Sequence, residues 1–153
     1  RLCGLKDAKA EVRVLEIGCG SGRWARSLFP DDGKEGTVVK YLGLDSSSTM
    51  VVESAQTLSK ILAASIVRAD ARRAGALKEA CDSFLGVPDR IVASYVLDIL
   101  DEKDLERVLA QCAELLRASG GLFAAASIFP GSKLMDVWES IWLRAPSVVG
   151  GCR

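Results

Sequence analysis

Three glycines at alternate positions, Gly18, Gly20 and Gly22, follow a short apolar run at 12–17 that is typical of a buried strand. Glycine permits positive φ angles and a close approach to the backbone, so the turn predicts a site for a nucleotide-like ligand. The glycines alone do not choose the ligand, because dinucleotide-binding enzymes also use a glycine-rich turn. Glu16 argues against a phosphate, since a carboxylate repels it and favours a cation instead.

Acidic residues follow the next two apolar runs as well. Asp45 ends the second run, and the two oxygens of one carboxylate match the vicinal hydroxyls of a ribose. In an open parallel sheet, ligands bind beyond the carboxyl ends of the strands. The loops expected to form a site are therefore 18–22, 45–46, 70–71 and 94–97. Simpler alternatives stay open: Asp45 could cap the helix that follows, Glu16 could bind nearby backbone N–H groups, and the glycines could serve only a tight connection.

Apolar strands alternate with segments of helical period along the whole chain, which predicts an α/β fold with a doubly wound parallel sheet. The strands are expected at 12–17, 37–44, 65–69, 91–95 and 122–128. Five helices are expected. The first lies at 22–28, and the second follows the N-cap Ser47 and has an apolar stripe of Val51, Ala55, Leu58 and Leu62. The third contains Leu77, Ala80, Cys81 and Phe84, the fourth lies between Asp101 and Gly120, and the last lies at 133–143.

The composition is that of a globular domain, with 49% hydrophobic and 26% charged residues in 153. Equal numbers of basic and acidic residues, 20 each, give no sign of a nucleic-acid footprint. No apolar run approaches the length of a membrane span. The five cysteines form no C-x-x-C pair and the chain has no histidine, which argues against a metal site and for a reducing, cytoplasmic setting.

Over 12–127, about three quarters of the chain, the order of motifs resembles that of class I S-adenosylmethionine-dependent methyltransferases. The segments that carry the resemblance are Leu15–Gly22, Leu44–Ser47, Arg68–Ala71, Asp89–Ser94 and Leu115–Leu122. The resemblance implies a Rossmann-like sheet with strand order 3-2-1-4-5 and S-adenosylmethionine as the cofactor. The residues that it places at the cofactor are Glu16, Gly18, Cys19, Gly20, Gly22, Asp45, Ser46, Asp70, Ala71 and Ser94.

Within that set, the resemblance puts Asp45 on the ribose, Ser46 near the adenine and Asp70 near the adenine amino group. The implied reaction is in-line transfer of the sulfonium methyl to a small-molecule or lipid-like acceptor, with a protein side chain as the second choice. No catalytic residue is identified, although Tyr95 and Asp98 lie in the loop that faces substrates in this family. The competing hypotheses are a non-catalytic binding domain of the same fold and a nicotinamide-dependent oxidoreductase, which Glu16 and the glycine spacing disfavour.

Two departures from the family pattern concern the end of the chain. Ser119 stands where the family has a proline before its paired glycine, which alters the stiffness of the turn. The family's sheet has seven strands, the last two an antiparallel hairpin, whereas only five are expected here. We therefore expect 1–153 to be a single cofactor-binding domain, truncated at its C-terminus.

Overall fold

The computed structural model describes residues 11–29 and 39–127, and a five-stranded parallel sheet organises them. The order is β3-β2-β1-β4-β5, and every neighbouring pair is parallel. The strands are β1 Val12–Ile17, β2 Val39–Asp45, β3 Ala64–Arg68, β4 Arg90–Ser94 and β5 Leu122–Ala126. This confirms the doubly wound, Rossmann-like fold and its order 3-2-1-4-5.

Within residues 11–29 and 39–127, four α-helices connect the strands and cover both faces of the sheet. They are α1 Arg23–Arg26, α2 Ser48–Thr57, α3 Ala76–Ala80, which continues as a π-helical turn over Cys81–Leu85, and α4 Glu102–Ser119. A 3-10 turn, Leu97–Ile99, precedes α4. Ser47 and Asp101 cap α2 and α4 as expected, because their side chains accept hydrogen bonds from the backbone N–H groups of Met50 and Asp104.

The inward face of α2 differs from the expected apolar stripe. The helix ends at Thr57, so Leu62 lies beyond it and is 97% exposed, and Ala55 is exposed too. Ser54 is buried in their place. A Cβ atom on Gly22 would lie 3.1 Å from the Cβ of Ser54, so the glycine turn approaches α2 too closely for a larger side chain there. The Ser54 hydroxyl donates to the carbonyl of Val51, which makes its burial tolerable.

Smaller differences concern the ends of the elements. The third strand lies one residue earlier than expected, and α1 is shorter than 22–28. The fourth strand stops at Ser94 because Tyr95 turns out of it with a φ of 60°. Strand five ends at Ala126, two residues before its expected end, and the helix expected at 133–143 lies outside the described residues.

Two apolar clusters lie on opposite faces of the sheet. One contains Leu15 and Ile17 of β1 with the inner residues of α3 and α4. The other contains Val12 and Val14 of β1 with Tyr41 of β2 and residues of α1. Alternate residues of β1 enter different clusters, as the pleat of a strand requires. No helix in the described ranges is long and apolar enough to cross a membrane.

Candidate functional site

A cavity of about 370 Å³ opens at the carboxyl ends of the central strands. It is formed by the loops that follow β1, β2, β3 and β4, which is where ligands bind in sheets of this kind. The expected site residues that line it are Gly18, Gly20, Asp45, Ser46, Asp70, Ala71 and Ser94. Glu16, Cys19 and Gly22 do not line it. The structure thus brings together the loops that the sequence indicated.

The glycine turn presents bare backbone to this cavity. The N–H groups of Gly18 and Cys19 both donate to the carbonyl of Leu44, at 2.8 and 2.9 Å, which ties the turn to the end of β2. Gly18 has a φ of 70°, and a Cβ atom on it would lie 2.7 Å from the Cβ of Val96. A side chain at this position would be strained and would also collide with the loop after β4.

Asp45 fastens the glycine turn to the start of α2. Its Oδ2 accepts from the N–H of Gly20 at 3.0 Å, and its Oδ1 accepts from the N–H of Ser47 at 2.9 Å. Each oxygen keeps a further lone pair, and the residue lines the cavity although it is mostly buried. Asp45 therefore does not cap α2, a role that Ser47 fills, but binds the N–H of that cap residue and keeps lone pairs for a ligand.

Asp70 is already engaged by a cation. Arg72 donates to it from its backbone N–H at 3.0 Å, from Nε at 2.9 Å and from Nη2 at 2.8 Å. These hydrogen bonds and the positive charge lower the pKa of Asp70 below its usual value. Arg72 itself lines the cavity, and the sequence analysis missed it. The signal that could have identified it is a basic residue two positions after an acid at the end of a strand.

Glu16 is buried beneath the glycine turn and does not line the cavity. It is only 2% exposed, and the hydroxyl of Tyr41 donates to its Oε2 at 2.5 Å. The pKa of Glu16 is raised to about 7 in all: burial raises it most, the Tyr41 hydrogen bond lowers it, and the negative charge of Asp45 raises it. Tyr41 was also missed, since an aromatic residue in an apolar strand indicates only a core position.

Cys19 and Gly22 are buried behind the turn rather than exposed to the cavity. Burial raises the pKa of the Cys19 thiol to about 12, so the thiol keeps its proton. Gly22 begins α1 with a φ of 75° and packs on Ser54. Both residues shape the turn that faces the cavity.

The other wall of the cavity is largely apolar. Tyr95, Val96, Ile99 and Leu100 follow β4, and Tyr95 is 57% exposed with a positive φ. Its backbone N–H donates to the carbonyl of Ala126 at 2.8 Å, which holds this loop to the end of β5. An aromatic residue in the left-handed region is strained, and such strain is concentrated at functional sites.

Asp98, the other residue considered for proton transfer, does not line the cavity. It accepts a hydrogen bond from the hydroxyl of Ser127. Within the part of the chain that the structure describes, no group of three or more Cys, Asp or Glu side chains could hold a metal ion.

Comparison with known proteins agrees with this geometry. The model of a family described as a methyltransferase domain matches residues 15–123, more than half of the 153-residue chain. The match runs from the middle of β1 into β5 and so includes every loop that lines the cavity. No curated protein matches the sequence.

Solved structures of methyltransferases share the fold. The CMeT domain of the citrinin polyketide synthase has 18% identity and a TM-score of 0.60, over 75% of this chain and 28% of that one. The trans-methyltransferase CalH in complex with SAH has 24% identity and a TM-score of 0.63, over 82% of this chain and 34% of that one. The N-methyltransferase NodS of Bradyrhizobium japonicum, also in complex with S-adenosylhomocysteine, has 19% identity and a TM-score of 0.53. The match covers 68% of this chain and 46% of that one. The chain thus spans less than half the length of each of these structures.

Proposed function

The chain belongs to the methyltransferase-domain family, and we propose that it binds S-adenosylmethionine and transfers the methyl group to a small-molecule acceptor. The observation that carries the proposal is the cavity at the carboxyl ends of the strands. There a bare glycine turn, the Asp45 carboxylate and an apolar wall face one another. A cofactor with a cationic end, a ribose and an adenine requires these three kinds of surface.

We assign the parts of the cofactor to the loops as follows. The backbone at Gly18 and Gly20 lies against the methionine part, and Asp45 accepts from the ribose hydroxyls with its remaining lone pairs. Ser46, Asp70 and Ala71 lie near the adenine, and Ser94 lies at the end of β4 beside the reacting centre. Support for this assignment comes from their shared cavity, since these residues belong to four separate loops.

The three remaining expected residues contribute from behind the turn. Glu16 supplies negative charge beneath the part of the turn that would hold a cationic ligand. Cys19 and Gly22 fix the shape of the backbone by packing towards α2: a thiol-to-hydroxyl contact of 3.9 Å joins Cys19 to Ser54, and Gly22 packs on the same serine. Neither the thiol nor the carboxylate needs to touch the cofactor directly.

The cofactor supplies the electrophile, a methyl carbon bonded to a sulfonium, so the acceptor forms its bond as the carbon–sulfur bond breaks. The protein's part is to hold donor and acceptor in line, which is worth roughly 7–11 kcal/mol of barrier in favourable cases. The chain has no histidine, so an imidazole base is excluded within this sequence. Tyr95 lines the cavity, and we propose its hydroxyl as the group that relays a proton where the acceptor must lose one.

The apolar wall supports a small, partly apolar acceptor. Val96, Ile99 and Leu100 offer hydrocarbon surface, and the ring of Tyr95 adds an amphipathic face beside them. Such a surface suits an aromatic or lipid-like molecule better than a highly charged one. A protein side chain is the alternative acceptor. We also propose a reducing, cytoplasmic setting, which is supported by three buried free thiols, Cys19, Cys81 and Cys112.

Isothermal titration calorimetry with S-adenosylhomocysteine and with NAD tests this function. We expect micromolar binding of S-adenosylhomocysteine and no binding of NAD. Binding of NAD alone would indicate an oxidoreductase, and binding of neither ligand would indicate a non-catalytic domain of the same fold. A positive result should be followed by incubation with labelled S-adenosylmethionine and a library of small acceptors.

A further inference from the structure

Behind the glycine turn, three side chains form a buried group that we call the carboxyl cluster: Glu16, Tyr41 and Cys19. Tyr41 is fully buried, and its ring lies along β2 over Gly43. A Cβ atom on Gly43 would lie 2.7 Å from the Tyr41 hydroxyl and 3.0 Å from the Cβ of Cys19. The missing side chain at 43 is therefore what allows the tyrosine hydroxyl to reach Glu16.

Only one of the two carboxyl oxygens of Glu16 is used. Tyr41 donates to Oε2, and Oε1 has no hydrogen-bond partner among the described residues. No side-chain oxygen or nitrogen in the described ranges is both fully buried and unpaired, so Oε1 keeps a narrow contact with solvent. The bonded oxygen fixes the orientation of the carboxyl group, and the other oxygen has no protein partner among the described residues.

Among the described residues, Glu16 has a negative charge near it and forms no ion pair with a cation. The negative charge of Asp45, at the end of β2, raises the pKa of Glu16. On the neighbouring strand β4, the residue beside Glu16 is the apolar Val92. Tyr41 and Cys19 both stay protonated at neutral pH, because burial raises the pKa of each. The charged residues of the helices on this face are Arg23 and Arg26 on α1 and Glu53 on α2. In the described ranges, none of these three forms a hydrogen bond or ion pair with Glu16.

We propose that Tyr41 is a positioning residue for the cofactor: its hydroxyl holds the Glu16 carboxyl group beneath the glycine turn, and ionisation of that group is linked to cofactor binding. The inference rests on the proposed function, which brings the ammonium group of the methionine part to this turn. A positive charge there favours the ionised carboxylate. By reciprocity, ionisation of Glu16 favours the bound cofactor.

The linkage should be visible in the ordinary pH range. Burial raises the pKa of Glu16 to about 7, whereas an ordinary glutamate is fully ionised there. The chain has no histidine whose titration would overlap. Below the midpoint the affinity for the cofactor should fall by up to about tenfold per pH unit, since one proton must then leave on binding.

The test is calorimetric titration of S-adenosylhomocysteine between pH 6 and pH 8.5. For the native protein we expect affinity to rise with pH and level off above about 7. Tyr41→Phe removes only the hydroxyl that favours the ionised form, so its midpoint should move up by about one pH unit. Glu16→Gln should remove the pH dependence. Glu11→Gln removes an exposed carboxylate before the same strand and should behave as the native protein does.

A second measurement needs no variant, so it stands even if a substitution in the cluster prevents folding. At pH 7, titrations of the native protein in two buffers of different ionisation enthalpy should show release of a fraction of a proton on binding. Binding that is independent of pH and releases no proton would overturn the inference and leave the cofactor assignment intact. An unchanged midpoint in Tyr41→Phe would overturn the role of Tyr41, and no binding at any pH would overturn both proposals.

Discussion

The two sides of the glycine turn treat their carboxylates in opposite ways. On the cavity side, Asp45 accepts from two backbone N–H groups and Asp70 from Arg72, so each charge is compensated. On the buried side, Glu16 has a tyrosine hydroxyl and no cation among the described residues. The difference teaches that the cavity side is prepared to hydrogen-bond a ligand, while the buried side holds a carboxyl group that no cation of the described residues pairs with.

Gly18 lies between the two sides, and a side chain at this position should reduce ligand affinity more than any other change proposed here. We expect Gly18→Ala to reduce the affinity for S-adenosylhomocysteine more than a hundredfold, because the new methyl group would collide with Val96 at a positive φ. Calorimetry measures the loss. Gly120→Ala is the matched control: its φ is also positive, at 61°, but nothing lies within 4 Å of the new Cβ atom.

Gly120 lies just before β5, at the opposite end of the sheet from the cavity. Its substitution should cost about 1 kcal/mol of stability and leave the affinity unchanged. Equal loss of affinity in both variants would mean that the glycines serve only the fold, and the distinction between the two sides of the turn would disappear.

The uncompensated charge of Glu16 predicts an unusual dependence of stability on pH. Its pKa is about 7 in the folded protein against 4.5 for the ordinary group, so its stabilising contribution is complete below about pH 4.5 and is lost as the pH rises through 7. The loss is about 3 kcal/mol. The free energy of unfolding of Glu16→Gln, minus that of the native protein, should therefore be about 3 kcal/mol larger at pH 8 than at pH 4.5.

Urea unfolding of both proteins at pH 4.5 and pH 8 checks this prediction, with the ligand absent. A difference between the two proteins that stays constant with pH would show that Glu16 is compensated after all. The contrast between the two sides of the turn would then be wrong.

On the cavity side, Asp45→Ala should weaken binding of S-adenosylhomocysteine by about 1–3 kcal/mol, because charge-assisted hydrogen bonds to the ribose are lost and the turn is loosened. Asp101→Ala is the comparison, since the Asp101 carboxylate also accepts from a backbone N–H at a helix start but lies outside the cavity. It should cost about 1 kcal/mol of stability with no change in affinity. An affinity that is unchanged in Asp45→Ala would remove the ribose assignment.

The smallest effect should come from the compensating cation. Asp70 and Arg72 are each almost half exposed, so their ion pair is screened by water, and Arg72→Ala should cost less than about 1 kcal/mol of unfolding free energy. Thermal unfolding measures it. A larger loss would show that this pair supports the loop after β3 as strongly as the buried hydrogen bonds support the glycine turn.

The sequence was sufficient for the architecture and for the loops of the site. Strand β1 was located to the residue, because four of its six positions are apolar and a glycine follows its last residue. Ser47 and Asp101 were identifiable as caps, since short polar side chains before an apolar repeat have one common use. Strand order and site position followed from the family resemblance and from the rule for open parallel sheets.

What the sequence could not provide depends on contacts between distant elements. The burial of Ser54 in place of Ala55 is set by the approach of Gly22, 32 positions earlier in the chain. The pairing of Tyr41 with Glu16 depends on the space above Gly43, which no local pattern records. The pairing of Asp70 with Arg72 is local, but an acid next to a base in a loop is too common to predict a contact.

The central claim is that the cavity side of the glycine turn holds the methyl donor. The most direct measurement is a ¹⁵N NMR titration of the native protein with S-adenosylhomocysteine, following the backbone amides. We expect the largest shifts at Gly18, Gly20 and Ser46, and none at Gly120 or Gly121, which lie at the other end of the sheet. Shifts confined to residues outside the cavity, or no shifts at all, would contradict it.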